Sequence, residues 1–509
     1  MATDDRKNVI VIGDYGLDDP QFSRPFMERK LELCRLSIEK APEAFNYARA
    51  ILVADHPGKF SLIKECCQSL FAQAHDYGLA QMVLAASSDD LPQIDAIRKA
   101  DGTGGSVGLV EMNFLYEAAE KIARHQPGPP AGPVIILPDG IKLKDGEFVL
   151  LQRAFHDCEK IYLETISGGK ASMSVFRVHA WMKQSVAGPS PLPFFAKIAI
   201  PEELAKEQGN YHYYAEHYIP FNLRPNIDTS RCVATRTKAA MVGNFVDDAI
   251  PLREALRSAS GVGCLFSLFE TTLKGFRLQP FATGQKREKG PLETFVKWRI
   301  WIDKWKEKAA VVERAKALGL TASVEELSDK ICKAAASVPC LTGPNHGDCH
   351  TGNVMVRGGD AILIDFGSIM HGPLTGDPAN LEVSLMFGTE SSEKSKSFSS
   401  WKAFVDQIYS APVPSLHPPA LFESQPGPYS WLRRAIRELR HVLLGCEVSV
   451  EEAKITLAAS LMRFARQDVE FLEEDDAKTL AFDRHAYALV VAERVVNSLT
   501  ENETGKAAA

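Results

Sequence analysis

The chain has 509 residues, 45% of them hydrophobic and 24% charged, and its formal net charge is -7. That length exceeds one ordinary domain and predicts two to four, each able to bury a core of its own. The composition is that of a globular protein and excludes a broad basic surface for nucleic acid: the densest basic cluster, Lys286, Arg287 and Lys289, is too short for such a footprint. The cysteines are scattered, with no C-x-x-C pair, which predicts reduced thiols and a cytoplasmic protein. The opening residues MATDDRKNVIVIG are acidic where a secretory leader is basic, and no run approaches the roughly 18 apolar residues of a membrane span, so no membrane partner is expected.

In chain order, residues 8–13 (NVIVIG) read as a buried strand and residues 26–41 (FMERKLELCRLSIEKA) as an amphipathic helix. A strand ending at Asp55, a helix over 60–78, a strand from Ala80, a helix over 91–101, a strand over 106–113 and a helix over 114–125 follow. This alternation predicts a doubly wound α/β domain with a parallel sheet, spanning 1–126. The glycines of DGTGGSVG, residues 101–108, precede a strand instead of following one, so they read as a loop and not a dinucleotide fingerprint. Prolines and glycines in HQPGPPAGP, residues 125–133, mark a boundary, and 127–150 is read as linker and leading strands. Residues 151–248 read as strands with one helical piece, and 249–509 mainly as helices.

Within the helical part lies GPNHGDCHTGNVMVRGGDAILIDFG, residues 343–367. HGDCHTGN reads as a loop, and VMVRGGDAILI as a hairpin that returns Asp365 to the level of that loop. Phosphoryl transfer from ATP needs charge neutralisation by Mg²⁺ and a positioned acceptor hydroxyl. Carboxylate and amide oxygens suit that hard cation. Asn353 and Asp365 are therefore candidate Mg²⁺ ligands, and Asp348 is the candidate catalytic base. Each residue alone would read as a turn former or strand cap; the joint spacing points to a site.

These motifs, H-G-D-x-H-x-x-N followed by I-D-F-G, resemble those of the aminoglycoside phosphotransferase and choline kinase branch of the protein-kinase-like superfamily. The resemblance implies an α+β two-lobed kinase-like domain after the α/β domain, with an N-lobe over 151–248 and a helical C-lobe over 249–509. It implies that Asp348 is the base, that Asn353 and Asp365 bind Mg²⁺, and that His346 and His350 brace the loop. It also implies an ATP site: Gly168 and Gly169, in ETISGGKASMSVFRV, cover the phosphates, and Lys197, in PFFAKIAI, meets the phosphates and a helix glutamate. Glu207 is that glutamate, with Glu216 as the alternative; either way, a lysine inside an apolar strand wants an anionic partner. AAMVGNFVDD, residues 239–248, resembles the strand leading to the adenine hinge. Gly376, Asp377 and Pro378 match the family's G-D-P-x-x-D, but the second aspartate is missing and Leu381-Glu382 stands near its place.

The interval from Gly367 to Asp377 is too short for a peptide-receiving activation segment, so a small-molecule hydroxyl is the expected acceptor. Trp298, Trp301 and Trp305 stand at helical spacing and read as core. Absence of an acidic cluster argues against a polycationic aminoglycoside. The N-terminal domain resembles a response-regulator receiver, with Asp55 at a strand end, Ser87 as the small hydroxyl residue and a loosely placed acidic pocket near GDYGLDD, but without the expected lysine after SVGLVEMN. It is a possible site for a protein partner. The alternatives are a kinase-like signalling enzyme that phosphorylates a protein in a bacterial signalling or defence system, and a nucleotide-binding pseudokinase scaffold.

Overall fold

The computed structural model describes residues 6–14, 19–100, 107–125, 132–144, 146–166, 173–235, 237–258, 261–389, 398–410, 427–444, 448–467 and 475–506. The chain divides into two compact units, residues 1–204 with 227–245, and residues 205–226 with 246–509. Gly168, Gly169 and most of the expected boundary at 125–133 lie outside the described residues.

The first unit contains two sheets. In the first, β1 (Asn8–Ile12), β2 (Glu32–Arg35), β3 (Ala48–Ala54), β4 (Ala80–Ala85) and β5 (Val107–Glu111) pair in parallel in the order β2-β1-β3-β4-β5. Side chains of a strand alternate between faces, and β3 shows the result. Ala50, Leu52 and Ala54 pack with Phe22, Phe26, Ala118 and Ile122, whereas Ile51 and Val53 pack with Ile63, Phe71 and Ile94. Helices therefore cover both faces of the sheet.

The helix expected over 26–41 does not form. A helix ends at Met27, Lys30 takes a left-handed φ of 57°, and Glu32–Arg35 become β2 on the free edge of β1. The apolar spacing Met27, Leu31, Cys34, Ile38 mimics a helical face. Pairing with β1 satisfies the backbone of these residues and overrides the local period. Residues 60–78 form Ser61–Glu65, a wider turn over Cys66–Leu70 and Phe71–Asp76, close to the single helix expected.

The second sheet runs β10-β11-β9-β8-β7-β6, built from β6 (Val134–Ile136), β7 (Cys158–Thr165), β8 (Ser174–Met182), β9 (Phe194–Ala199), β10 (Val233–Ala234) and β11 (Ala239–Asn244). A helix over Glu147–Ala154, in a stretch partly read as linker, packs Leu150, Leu151 and Ala154 on this sheet with Ile161, Val178 and Ala196. Arg231 ties that core together: its guanidinium holds both oxygens of Asp157 at 2.6 Å and lies over the rings of Phe155 and Phe194.

The second unit is mainly helical and carries two small sheets. β12 (Ile250–Pro251) pairs with β14 (Val354–Arg357), which pairs with β15 (Asp360–Leu363); β13 (Thr342–Asn345) pairs with β16 (Met370–Pro373). The helix Val450–Ala465 is almost wholly buried and packs on the helices Gly376–Phe387 and Asp475–Lys506. Trp305 is buried as expected for core, but Trp298 and Trp301 are about half exposed. The helix Pro291–Ile300 stops at Trp301, whose φ of 44° breaks the helical face that the spacing suggested. None of the described helices is long and apolar enough to cross a membrane.

Candidate active site

The hairpin sets the geometry. Gly358 and Gly359 take φ of 61° and 93°, which allows the two-residue turn that pairs Arg357 with Asp360. One step beyond the paired strands, the Ile364 N–H donates to the Asn353 carbonyl at 3.0 Å, so Asp365 follows a residue bonded directly to Asn353. Asp365 is exposed and adopts a left-handed φ of 63°, a conformation uncommon outside glycine and enriched at functional sites. Asn353 is buried, and its side-chain Nδ2 donates to the Asp348 carbonyl at 3.0 Å. That bond leaves its Oδ1 turned away from the Asp348 carbonyl. Asp348, Asn353 and Asp365 are thus brought together by one loop and one hairpin.

Two further groups lock the loop. Asp377, buried at the start of helix Gly376–Phe387, accepts the N–H of His346 at 2.7 Å and of Gly347 at 3.0 Å. Burial pushes its carboxyl up, opposed by these donors and by nearby His346 and Arg299. His346, fully buried, meets the Ile364 carbonyl at 3.1 Å through Nε2 and packs edge-on against Phe366. His350 Nδ1 accepts the Gly352 N–H at 3.0 Å, and its Nε2 lies 3.7 Å from Asp348 Oδ2. Burial lowers the His350 pKa, against the attraction of Asp348, and so favours its neutral form. Both histidines are held in bracing positions.

Glu382, near the place of the missing second aspartate, serves the helix and not the loop. It is buried, paired with Arg440 at 2.6 Å and bonded to the Tyr409 hydroxyl at 2.9 Å.

Of the two candidate glutamates, Glu207 is 5% exposed, whereas Glu216 is exposed and paired with His212 at 2.5 Å one helical turn away. Glu207 approaches the end of the hairpin: a Cβ on Gly367 would stand 3.7 Å from Glu207 Oε2 and 3.5 Å from Asp365 Oδ1. Asn210 and Tyr211 of the same helical run hold Phe366, by a 2.9 Å bond to its carbonyl and by ring packing. Lys197 belongs to the first unit, in mid-β9 between Val175 and Met241, and is 7% exposed.

Sequence reasoning missed Arg463, on the helix Val450–Ala465. Its Nη2 donates to Asp348 Oδ1 at 2.8 Å, and its Nη1 to Asn380 Oδ1 at 3.1 Å and to the Gly347 carbonyl at 3.4 Å. Burial pushes the Asp348 carboxyl up, but the charge of Arg463 leads the attractions that outweigh it and hold Asp348 below its usual range, hence ionised at neutral pH. Nothing local to Arg463 announces this role, since 115 residues separate the pair.

In the first unit, Asp14, Asp55, Ser87 and Asp90 follow the carboxyl ends of β1, β3 and β4. Asp55 is turned inward: Oδ1 accepts the His56 N–H at 2.9 Å and Oδ2 the Leu62 N–H at 3.0 Å, which anchors the next helix. Ser87 donates to Asp90 at 3.1 Å. Residues 15–18 of the expected acidic pocket lie outside the described residues.

Residues 277–392 match the family model described as "Phosphotransferase enzyme family". That segment contains the whole loop and hairpin. Among solved structures, the chain is similar to a thermostable mutant of aminoglycoside phosphotransferase APH(4)-Ia in apo form, at 14% identity over 66% of this chain and 94% of that one, with a TM-score of 0.40. It is also similar to the choline kinase of Cryptosporidium parvum Iowa II (13% identity, 66% and 90% covered, TM-score 0.35) and to spectinomycin phosphotransferase APH(9)-Ia in complex with ADP and spectinomycin (12%, 65% and 93%, TM-score 0.33). No curated protein matches the chain significantly. By this match, the segment 277–392 carries the features of a phosphotransferase enzyme family domain.

Proposed function

We propose that the protein transfers the γ-phosphate of ATP, with Mg²⁺, to a hydroxyl of a small molecule. The observation that carries this reading is the joint placement of Asp348, Asn353 and Asp365 on a loop and hairpin braced by Asp377. The donor set fits Mg²⁺: Asn353 presents its carbonyl oxygen and Asp365 an exposed carboxylate, and a cation of this kind takes few protein ligands and completes its shell with phosphate and water. Among the described residues no cluster of three or more His, Cys, Asp or Glu competes as a metal site. Bound there, Mg²⁺ would neutralise phosphate charge.

Asp348 orients the acceptor hydroxyl and takes its proton as the acceptor oxygen bonds to the γ-phosphorus and the bond to the β-phosphate oxygen breaks, leaving ADP and the phosphate ester. The proton then passes to solvent. Arg463 keeps Asp348 ionised and fixes one of its oxygens. Lys197 is assigned to the triphosphate on the motif resemblance. We read the parallel five-stranded domain as a receiver-like module that binds a protein partner. Its 2-1-3-4-5 strand order suits that class of fold, and the engagement of both Asp55 oxygens favours binding over phosphate acceptance.

The test is transfer from γ-labelled ATP with Mg²⁺ to a fractionated cell extract and to the protein alone, with Asp348→Asn as control. Label in a small-molecule fraction that vanishes in the variant is the expected result. Label on protein would replace this reading with the signalling kinase, and nucleotide binding without any label would replace it with the scaffold.

A further inference from the structure

A cavity of about 200 Å³ opens beside Asp348, lined in part by His350, Asn380, Ser384, Phe464 and Gln467. Among the described residues Asp348 is the one carboxylate in that lining, and Arg463 pairs with it at 2.8 Å.

Two arginines stand close to this carboxylate. Arg463, bonded to the lining residues Asp348 and Asn380, makes three hydrogen bonds out of a guanidinium's five donors, and its side chain is 17% exposed, so donors remain next to two residues of the cavity wall while Asp348 stays held. Behind it lies Arg299, 1% exposed on helix Pro291–Ile300. None of its three guanidinium nitrogens has a hydrogen-bond partner among the described residues. Its neighbours are the rings of Phe295 and Trp298, at 5.2 and 5.3 Å. The charges that act on it are Arg463, Asp377 and Asp348. A buried cation without hydrogen-bonded counter-charge is costly. Its positive charge stands with that of Arg463 near Asp348, with Asp377 acting against it, in a buried setting that strengthens each of these fields.

We infer that the acceptor carries an anionic group, a carboxylate or a phosphate, besides the hydroxyl that is phosphorylated, and that Arg463 recognises this group. The inference rests on the phosphotransferase reading above. Arg299 is a positioning residue that raises the positive potential without touching the acceptor. One guanidinium then does two things: it holds Asp348 by one nitrogen and engages the acceptor by donors still unused, which sets the hydroxyl at the base.

The experiment uses the full-length protein with Mg²⁺ and a non-hydrolysable ATP analogue, and then with ATP. The Mg-nucleotide complex is first tested alone: loss of binding in wild type, or unchanged binding in Asp365→Ala, would sink the phosphotransferase reading and this inference with it. Given nucleotide binding, four sets of size-matched hydroxyl compounds are compared by thermal shift and by ADP release: hydroxycarboxylates and sugar acids, sugar phosphates, uncharged polyols, and amino alcohols. The expected result is binding confined to one of the two anionic sets, which also tells carboxylate from phosphate. In Arg463→Met the anionic acceptor's KM should rise by about 10- to 100-fold with the KM for ATP unchanged, and Arg463→Lys should restore part of it. Arg299→Met should raise the same KM by a smaller factor. Preference for uncharged or cationic compounds, no binding by either anionic set, or an unchanged KM in Arg463→Met would overturn the inference and leave the phosphotransferase reading standing.

Discussion

Replacing Asp377 with asparagine should loosen the loop that carries Asp348 while leaving the hairpin intact. The wild-type carboxylate accepts two backbone donors, His346 N–H at 2.7 Å and Gly347 N–H at 3.0 Å, in a buried setting. An amide can accept one of them through Oδ1, but its NH₂ then faces the other donor. One bond loses its charge assistance, about 1 kcal/mol, and one buried N–H is left unsatisfied, about 1–3 kcal/mol. The sum is about 2–4 kcal/mol, a large share of a domain's usual stability. Urea unfolding followed by tryptophan fluorescence would report it, because Trp298, Trp301, Trp305, Trp401 and Trp431 all belong to the second unit. In the folded fraction kcat should fall by about 100-fold, with Mg-ATP affinity nearly unchanged. A loss below about 1 kcal/mol together with wild-type kcat would refute the bracing role.

Gly347→Ala should be harsher for the loop: φ is +78° and the new Cβ would stand 2.1 Å from the Ser368 carbonyl oxygen, so turnover should vanish in a steady-state assay even in material that folds. Glu452 is fully buried, and burial pushes its carboxyl up to about 7 from 4.5, against the pull of Arg287 and Thr375. The folded state thus binds the extra proton between those values, and stability contributed by this group is present below pH 4.5 and lost as pH rises through 7. Glu452→Gln should flatten this fall, worth about 3 kcal/mol, when urea midpoints of the two proteins are compared across that window. Asp55→Ala should lower the thermal midpoint of the first unit by removing the acceptor of two backbone N–H groups. Incubation of wild type with a small phosphodonor should leave its mass unchanged; an added phosphate lost in Asp55→Ala would reverse this reading of Asp55.

The local geometry of the loop and hairpin was legible before any coordinates. Two glycines at 358 and 359 between apolar runs can only turn, and the turn returns Asp365 to Asn353 and Asp348; the I-D-F-G segment and the G-D-P triplet follow from the same short-range geometry. The alternating apolar runs of the N-terminal part likewise announced a parallel sheet, because buried strands and amphipathic helices have different periods. Residues 26–41 show where this reasoning fails: spacing alone fits a helix, and only the open edge of β1 makes Glu32–Arg35 a strand. The surroundings of Asp348 were decided by packing. Arg463 reaches Asp348 across 115 residues because one buried helix lies against another, and Arg299 sits beside both for the same reason. Ion pairs of that separation leave no period in a sequence, since what brings them together is the fit of whole helical faces and not the order of neighbouring residues.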